Sequence, residues 1–243
     1  MHFRFILSSL MLFIILASFG SLLYQRSLAP SAIALSEKGN VTNIRRVKTT
    51  VVIQPIFTQA AYGNNGFYSY YFGKCDKKCL TVPIPNKFNG SYVTGGASSN
   101  VLLQQNYSHI DDIDIDKNPD ILKKYDVVIL LHNEYVTKKE FDAITHHVHV
   151  IYLYPNALFA QVKVDYNKNT ITLMRGHWYP NKKIVNGFDW KFDNTKFELN
   201  TKCNDWHFHN IDNGIMLDCY PEYIIQSDKS LLHAIRNYFI PSD

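Results

Sequence analysis

The chain has 243 residues, enough for one large domain or two small ones, and its apolar and charged fractions, 46% and 19%, are those of an ordinary globular protein. Its formal charge of +4 is mild and spread along the chain without a basic block, which argues against nucleic acid as a partner. The 16 tyrosines and 15 phenylalanines supply a sizeable core.

Residues 5–24 carry no charge and, as a helix, span roughly 30 Å, enough to cross a bilayer. Arg4 precedes the run and Arg26 follows it. A cleaved signal peptide is the rival reading, because Ala32-Ile33-Ala34 resembles a small-residue cleavage site. The length of the run, and the distance from its end to that site, favour a single N-terminal transmembrane anchor over residues 1–26. Residues 27–48 then read as a polar linker, and residues 49–243 as the folded part. Either reading exports that part: a single-pass protein of the cell membrane with an extracytoplasmic domain, or a secreted one after cleavage.

Residues 49–57 alternate and are β-branched, which predicts a first strand, with Pro55 at its end or at an irregularity. Residues 58–66 form a loop of small and amide residues at that strand's carboxyl end, and the aromatic run 67–72 starts a short helix. Residues 79–84 are a short strand. Pro83, Pro85, Asn89 and Gly90 enforce a loop, and Gly95-Gly96 another. A helix fits residues 98–107. Residues 110–115, alternating isoleucine with aspartate, read as an edge-like strand, and Pro119 opens a helical turn.

The stretch 125–162 is the centre of the chain. Residues 127–131 are continuously apolar, as in a strand buried on both faces. His132-Asn133-Glu134-Tyr135 follows at the carboxyl end. Thr137, with Glu140 three residues on, forms a capping box, and Phe141 and Ile144 give the next helix an apolar stripe. Residues 148–153 return as a second buried strand. Two buried strands joined by a helix make a parallel β-α-β unit, and ligands of such sheets sit outside the carboxyl ends of the strands. Further strands are predicted at 170–174, 189–197 and 215–217, the first two as an antiparallel extension. Ser227 or Asp228 caps a last helix to residue 239, with Leu231, Leu232, Ile235 and Phe239 on one face.

Four cysteines in an exported chain point to two disulfides. Cys75 with Cys79 and Cys203 with Cys219 is the simplest of three connectivities. A zinc on all four thiolates is disfavoured, because neither pair has CxxC spacing. Asn40, Asn89 and Asn106 lie in glycosylation sequons.

His132-x-Glu134 is the sharpest chemical candidate: a carboxylate is a hard metal ligand, and the imidazole beside it can coordinate or carry a proton. The plain alternative is a polar turn that caps the following helix. Tyr62 can converge with Glu134 if the first and central strands are neighbours. Asn64 and Asn156, at the same end, are candidate substrate contacts. His207 and His209 share a strand face and, with His146, His147, His149 or His177, would make a zinc site. No GxSxG elbow is present, and the four cysteines are accounted for as disulfides, so a serine or cysteine nucleophile is not expected.

With those residues in view, the centre of the chain resembles the C-terminal region of the N,N-dimethylformamidase large subunit, within the class I glutamine amidotransferase-like and ThuA-like folds. The resemblance rests on His132-Asn133-Glu134-Tyr135, on Asn156-Ala157-Leu158-Phe159-Ala160-Gln161-Val162, and on Thr58-Gln59-Ala60-Ala61-Tyr62 with the glycine that follows, over roughly residues 49–175. It implies a three-layer α/β domain with a mostly parallel sheet. It also implies a mononuclear iron held by Tyr62, Glu134 and a second tyrosine, with His132 as the catalytic residue beside it. Phe88 stands where the family has that second tyrosine, and Tyr92 is the nearest substitute. Two functions follow as expectations. One is a cell-surface binding or orphan module of this fold that takes a surface polymer. The other is an iron amidohydrolase that cuts the C–N bond of a small amide.

Overall fold

The computed structural model describes residues 48–238. The expected anchor, the linker up to residue 47, the Asn40 sequon and Phe239 lie outside the described residues. Among the described residues no helix is long and apolar enough to cross a membrane.

The apolar run of the central stretch forms strand β4 (Val127–Leu130), in which every residue is buried. Preceding it are β1 (Thr50–Gln54), β2 (Thr81–Pro83) and β3 (Ser108–Asp111); following it come β5 (Tyr135–Val136), β6 (Val150–Tyr152), β7 (Ala160–Asp165), β8 (Thr170–Arg175), β9 (Phe208–Ile211) and β10 (Gly214–Leu217). The larger sheet has the order β3-β1-β4-β6-β10-β9. All its pairings are parallel except β10 with β9, an antiparallel hairpin at the edge. The second sheet, β2-β8-β7-β5, is mostly antiparallel. This is a mixed α/β fold with a mostly parallel main sheet.

Two-residue periodicity divides the main sheet's side chains between two cores. Val52, Val127, Ile129, Ile151 and Leu217 face one core, which is closed by α3 (Gly96–Gln104) and α6 (Lys229–Asn237). Val51, Ile53, Val128, Leu130, Val150 and Met216 face the other, closed by α4 (Asp112–Lys117) and α5 (Lys138–Thr145). Helices on both faces make three layers. A third core lies between the second sheet and the short helices α1 (Ile56–Ala61) and α2 (Phe67–Tyr71).

Several local expectations change in the tertiary context. The segment 58–66 is not all loop: α1 starts directly after Pro55, and its free N-terminus is capped from afar, with the Phe57 amide donating to the Asp112 carboxylate at 2.7 Å. Residues 110–115 are half strand and half helix. Asp111 caps α4 and forms a capping box with Asp114, so the alternating acids serve a helix N-terminus, where negative charge is favourable. The strand expected at 189–197 is absent. There Asn186 accepts from the Phe188 amide at 2.8 Å and Asp193 from the Thr195 amide at 2.9 Å, which turns the chain locally. The Trp190 ring packs on Tyr152. The antiparallel additions are instead the β7–β8 hairpin, in the second sheet, and the β9–β10 hairpin.

The disulfides are local, Cys75–Cys79 and Cys203–Cys219, and fit an oxidising compartment. Asn89 and Asn106 are exposed.

Candidate functional site

The chain runs from β1 outward to β3 and returns to β4 on the other side of β1, which places a topological switch point between β1 and β4. Tyr62, the C-cap of α1, arrives there from β1, and His132-Asn133-Glu134 from β4. The turn out of β4 is tight, with the Asn133 amide donating to the Leu131 carbonyl at 2.8 Å. The Glu134 carbonyl then accepts from the amides of Phe159 (3.0 Å) and Ala160 (2.9 Å), which wraps the Asn156–Ala160 segment around the motif.

Glu134 is the centre of the site and is 0% exposed. Tyr62 donates its hydroxyl to Oε2 at 2.7 Å, and Tyr68 donates in turn to the Tyr62 hydroxyl at 2.8 Å. His177 donates from Nε2 to Oε1. His132 Nε2 lies 3.8 Å from Oε2 and is buried without a hydrogen-bond partner. The other ring nitrogen of His132, Nδ1, is 2.7 Å from the Val93 carbonyl. A carbonyl can only accept, so Nδ1 carries the proton and neutral His132 keeps its Nε2 lone pair toward Glu134.

The electrostatics follow from burial and contact. Desolvation acts to raise the Glu134 carboxyl, but the interactions with His177, His132 and Tyr62 outweigh it and hold the group below the ordinary range. Burial, opposed by Glu134, lowers His132. Burial and the neighbouring Glu134 raise the Tyr62 and Tyr68 phenols, so both act as donors. Glu198 faces the same centre. Burial and Glu134 push its carboxyl up, while the Asn156 side chain hydrogen-bonds it.

The structure thus brings Tyr62, His132 and Glu134 together and sets Asn156 beside them, buried, with Oδ1 unpartnered. Asn64 is exposed on the turn after α1. Tyr92 lies further off: its ring packs on Tyr223, and its backbone carbonyl accepts from the Tyr220 hydroxyl at 2.7 Å. His209 contacts Phe197, and His207 lies 3.8 Å from Asp218. Among the described residues no three His, Cys, Asp or Glu side chains are grouped to hold a metal ion. The Glu134 centre becomes a donor set only when its phenols are counted.

Sequence reasoning missed the site roles of Tyr68, His177 and Glu198. Tyr68 belonged to an aromatic run whose only signal was its closeness to Tyr62. His177 comes from the second sheet, where Gly176, His177 and Trp178 are all left-handed, with φ of 115°, 51° and 59°. A Cβ on Gly176 would come within 2.9 Å of the Ala160 backbone, so glycine is required there. Consecutive left-handed residues without glycine's freedom are uncommon and gather at functional sites.

No protein-family profile matches the chain, and no curated protein matches it.

Proposed function

We propose that the Glu134 centre is the active site of an exported hydrolase that cuts a C–N bond, on an amidotransferase-like α/β domain tethered to the membrane by residues 1–26. The observation that carries this reading is a fully buried carboxylate bonded by a phenol and an imidazole, with a second imidazole nitrogen unpartnered beside it. Buried polar atoms are normally satisfied, so an orphan lone pair facing a carboxylate marks a place where a proton or a cation is received.

The donor set fits a mononuclear iron. Tyr62, Tyr68 and Glu134 would hold it through hard oxygen atoms, and Tyr68 takes the place that the sequence had offered to Tyr92. Bound there, iron would polarise an amide carbonyl and activate water. His132, held in one tautomer by Val93, accepts and returns a proton at Nε2. Glu198 exchanges a proton at its carboxyl, which burial keeps in the protonated range longer than usual. His177 fixes the Glu134 carboxylate from the opposite oxygen.

The test is elemental analysis and visible absorption of the full-length chain, purified without a metal-affinity tag, beside Glu134→Gln and Tyr62→Phe. About one iron per chain is expected, with a tyrosinate absorption band that Tyr62→Phe weakens and Glu134→Gln abolishes. Absence of metal from the unmodified chain would sink the iron reading. One observation favours the second reading, a binding module: both Glu134 oxygens already receive protons from the chain itself.

A further inference from the structure

Three paths of ring contacts, tilted or edge-on, lead from the groups around Glu134 to the surface. The first runs from Tyr62 to Tyr68, ring centroids 4.4 Å apart, and on to Phe72 at 6.0 Å. The second runs from His177 to Trp178 at 6.2 Å. The third runs from His132 to Tyr220 at 5.4 Å, to Tyr92 at 5.4 Å and to Tyr223 at 4.6 Å. Each ends in a ring open to solvent: Phe72 is 69% exposed, Trp178 58% and Tyr223 68%.

Large exposed rings at the ends of all three paths are more than the scattered apolar residues of an ordinary surface. They lie one to three ring contacts from a centre of carboxylates, imidazoles and phenols, where an apolar peptide side chain would leave polar groups unpaired. A pyranose ring matches both parts. Its C–H face packs flat on an aromatic ring, and its polar edge offers hydrogen bonds. Separate platforms suit several linked sugar units better than one. Half-buried Tyr68 and His177 link the Phe72 and Trp178 platforms to the buried carboxylate, and half-buried Glu198 faces the same centre.

We infer that the substrate of this site is a chain of N-acylated amino sugars. It lies across Phe72, Trp178 and Tyr223 with one acylamido group turned toward Glu134 and Glu198. The inference rests on the reading that the Glu134 centre cuts a C–N bond. In the reaction the amide C–N bond breaks, the water oxygen joins the acyl carbon, and the nitrogen leaves as an amine with a proton. The products are a free carboxylate and a free amino sugar.

The experiment measures binding of two soluble probes, a hexamer of N-acetylglucosamine and a hexamer of glucose, to the full-length chain, with acetate release followed in parallel. The acetylated hexamer is expected to bind at least about tenfold more tightly than the other. Phe72→Ala, Trp178→Ala and Tyr223→Ala are each expected to weaken that binding by about tenfold, with thermal unfolding unchanged because all three rings are exposed. Equal binding of the two hexamers, binding of neither, or rim variants that bind like the parent would overturn the inference. Iron content and cleavage of a small amide without hexamer binding would overturn the substrate class and leave the hydrolase reading standing. Selective binding through the rim without acetate release would support the ligand class and remove the hydrolysis.

Discussion

At the residue scale, the site is built from hydrogen bonds whose direction is forced. Val93 offers only an acceptor, so His132 has one tautomer; Glu134 offers only acceptors, so Tyr62 and His177 are donors. A second buried carboxylate group lies just behind. Asp112 accepts from the Phe57 amide and from Asn133 Nδ2, at 2.7 and 2.6 Å, and faces Glu140, whose Oε2 accepts from the Thr137 amide at 2.8 Å. Both acids are fully buried, so one proton stays between them. Burial pushes Asp112 up to about 8, and burial with the Asp112 charge raises Glu140 well above the ordinary carboxyl range. The sign follows. The unfolded chain releases the Asp112 proton near pH 4, while the folded chain holds it to about pH 8, so this contribution to stability is full below pH 4 and is lost as pH rises through that window. Glu140→Gln keeps the acceptor for Thr137 and supplies a permanent donor to Asp112. It should raise stability at pH 8 by on the order of 1 kcal/mol and leave it little changed at pH 4, as read by urea unfolding at the two pH values. An equal effect at both would show that no proton is shared.

At the element scale, the most legible parts were those whose signals are local. The box of Thr137 and Glu140 opens α5 as its spacing predicts. Thr137→Ala should cost about 1 kcal/mol in the same assay. The apolar runs of β4 and β6 and the Asp228 cap of α6 were equally plain. Elements whose stabilising partner is distant were not. The cap of α1 comes from Asp112, 55 residues away, and so a helix read as a loop. The acids of 111–114 read as strand alternation, because the same spacing that alternates across a sheet also fills a helix's first turn.

At the scale of the whole molecule, two disulfides close loops of different size. The sequence separations are 16 for Cys203–Cys219 and 4 for Cys75–Cys79. Chain-entropy reasoning assigns about 3 kcal/mol to the longer and about 2 kcal/mol to the shorter. Replacing both cysteines of the 203–219 pair by serine should therefore lower the unfolding midpoint more than the same change at 75–79. The difference should be larger still because Cys203 and Cys219 are both buried in the core behind Tyr220. An equal or reversed order would place the stability of the chain in the Cys75 loop instead.

The sequence by itself determined the mixed α/β class and the parallel central unit. It offered the local disulfide pairs as the simplest of three connectivities and the meeting of Tyr62 with Glu134 on condition that the first and central strands are neighbours, and the structure meets both. Each is written in nearby residues: periodicity, cap spacing, and the rule that parallel strands present their carboxyl ends together. Only the tertiary structure decided that Tyr68 joins the centre, that Tyr92 stands away from it on Tyr223, and that His177 and Glu198 close it from the second sheet and the 195–201 loop. Those residues carry no periodic signal. His177 reaches Glu134 through a left-handed turn after a strand of the second sheet, and Tyr68 and Glu198 come to the centre from segments far from Glu134 in the chain, which tertiary packing sets and spacing does not.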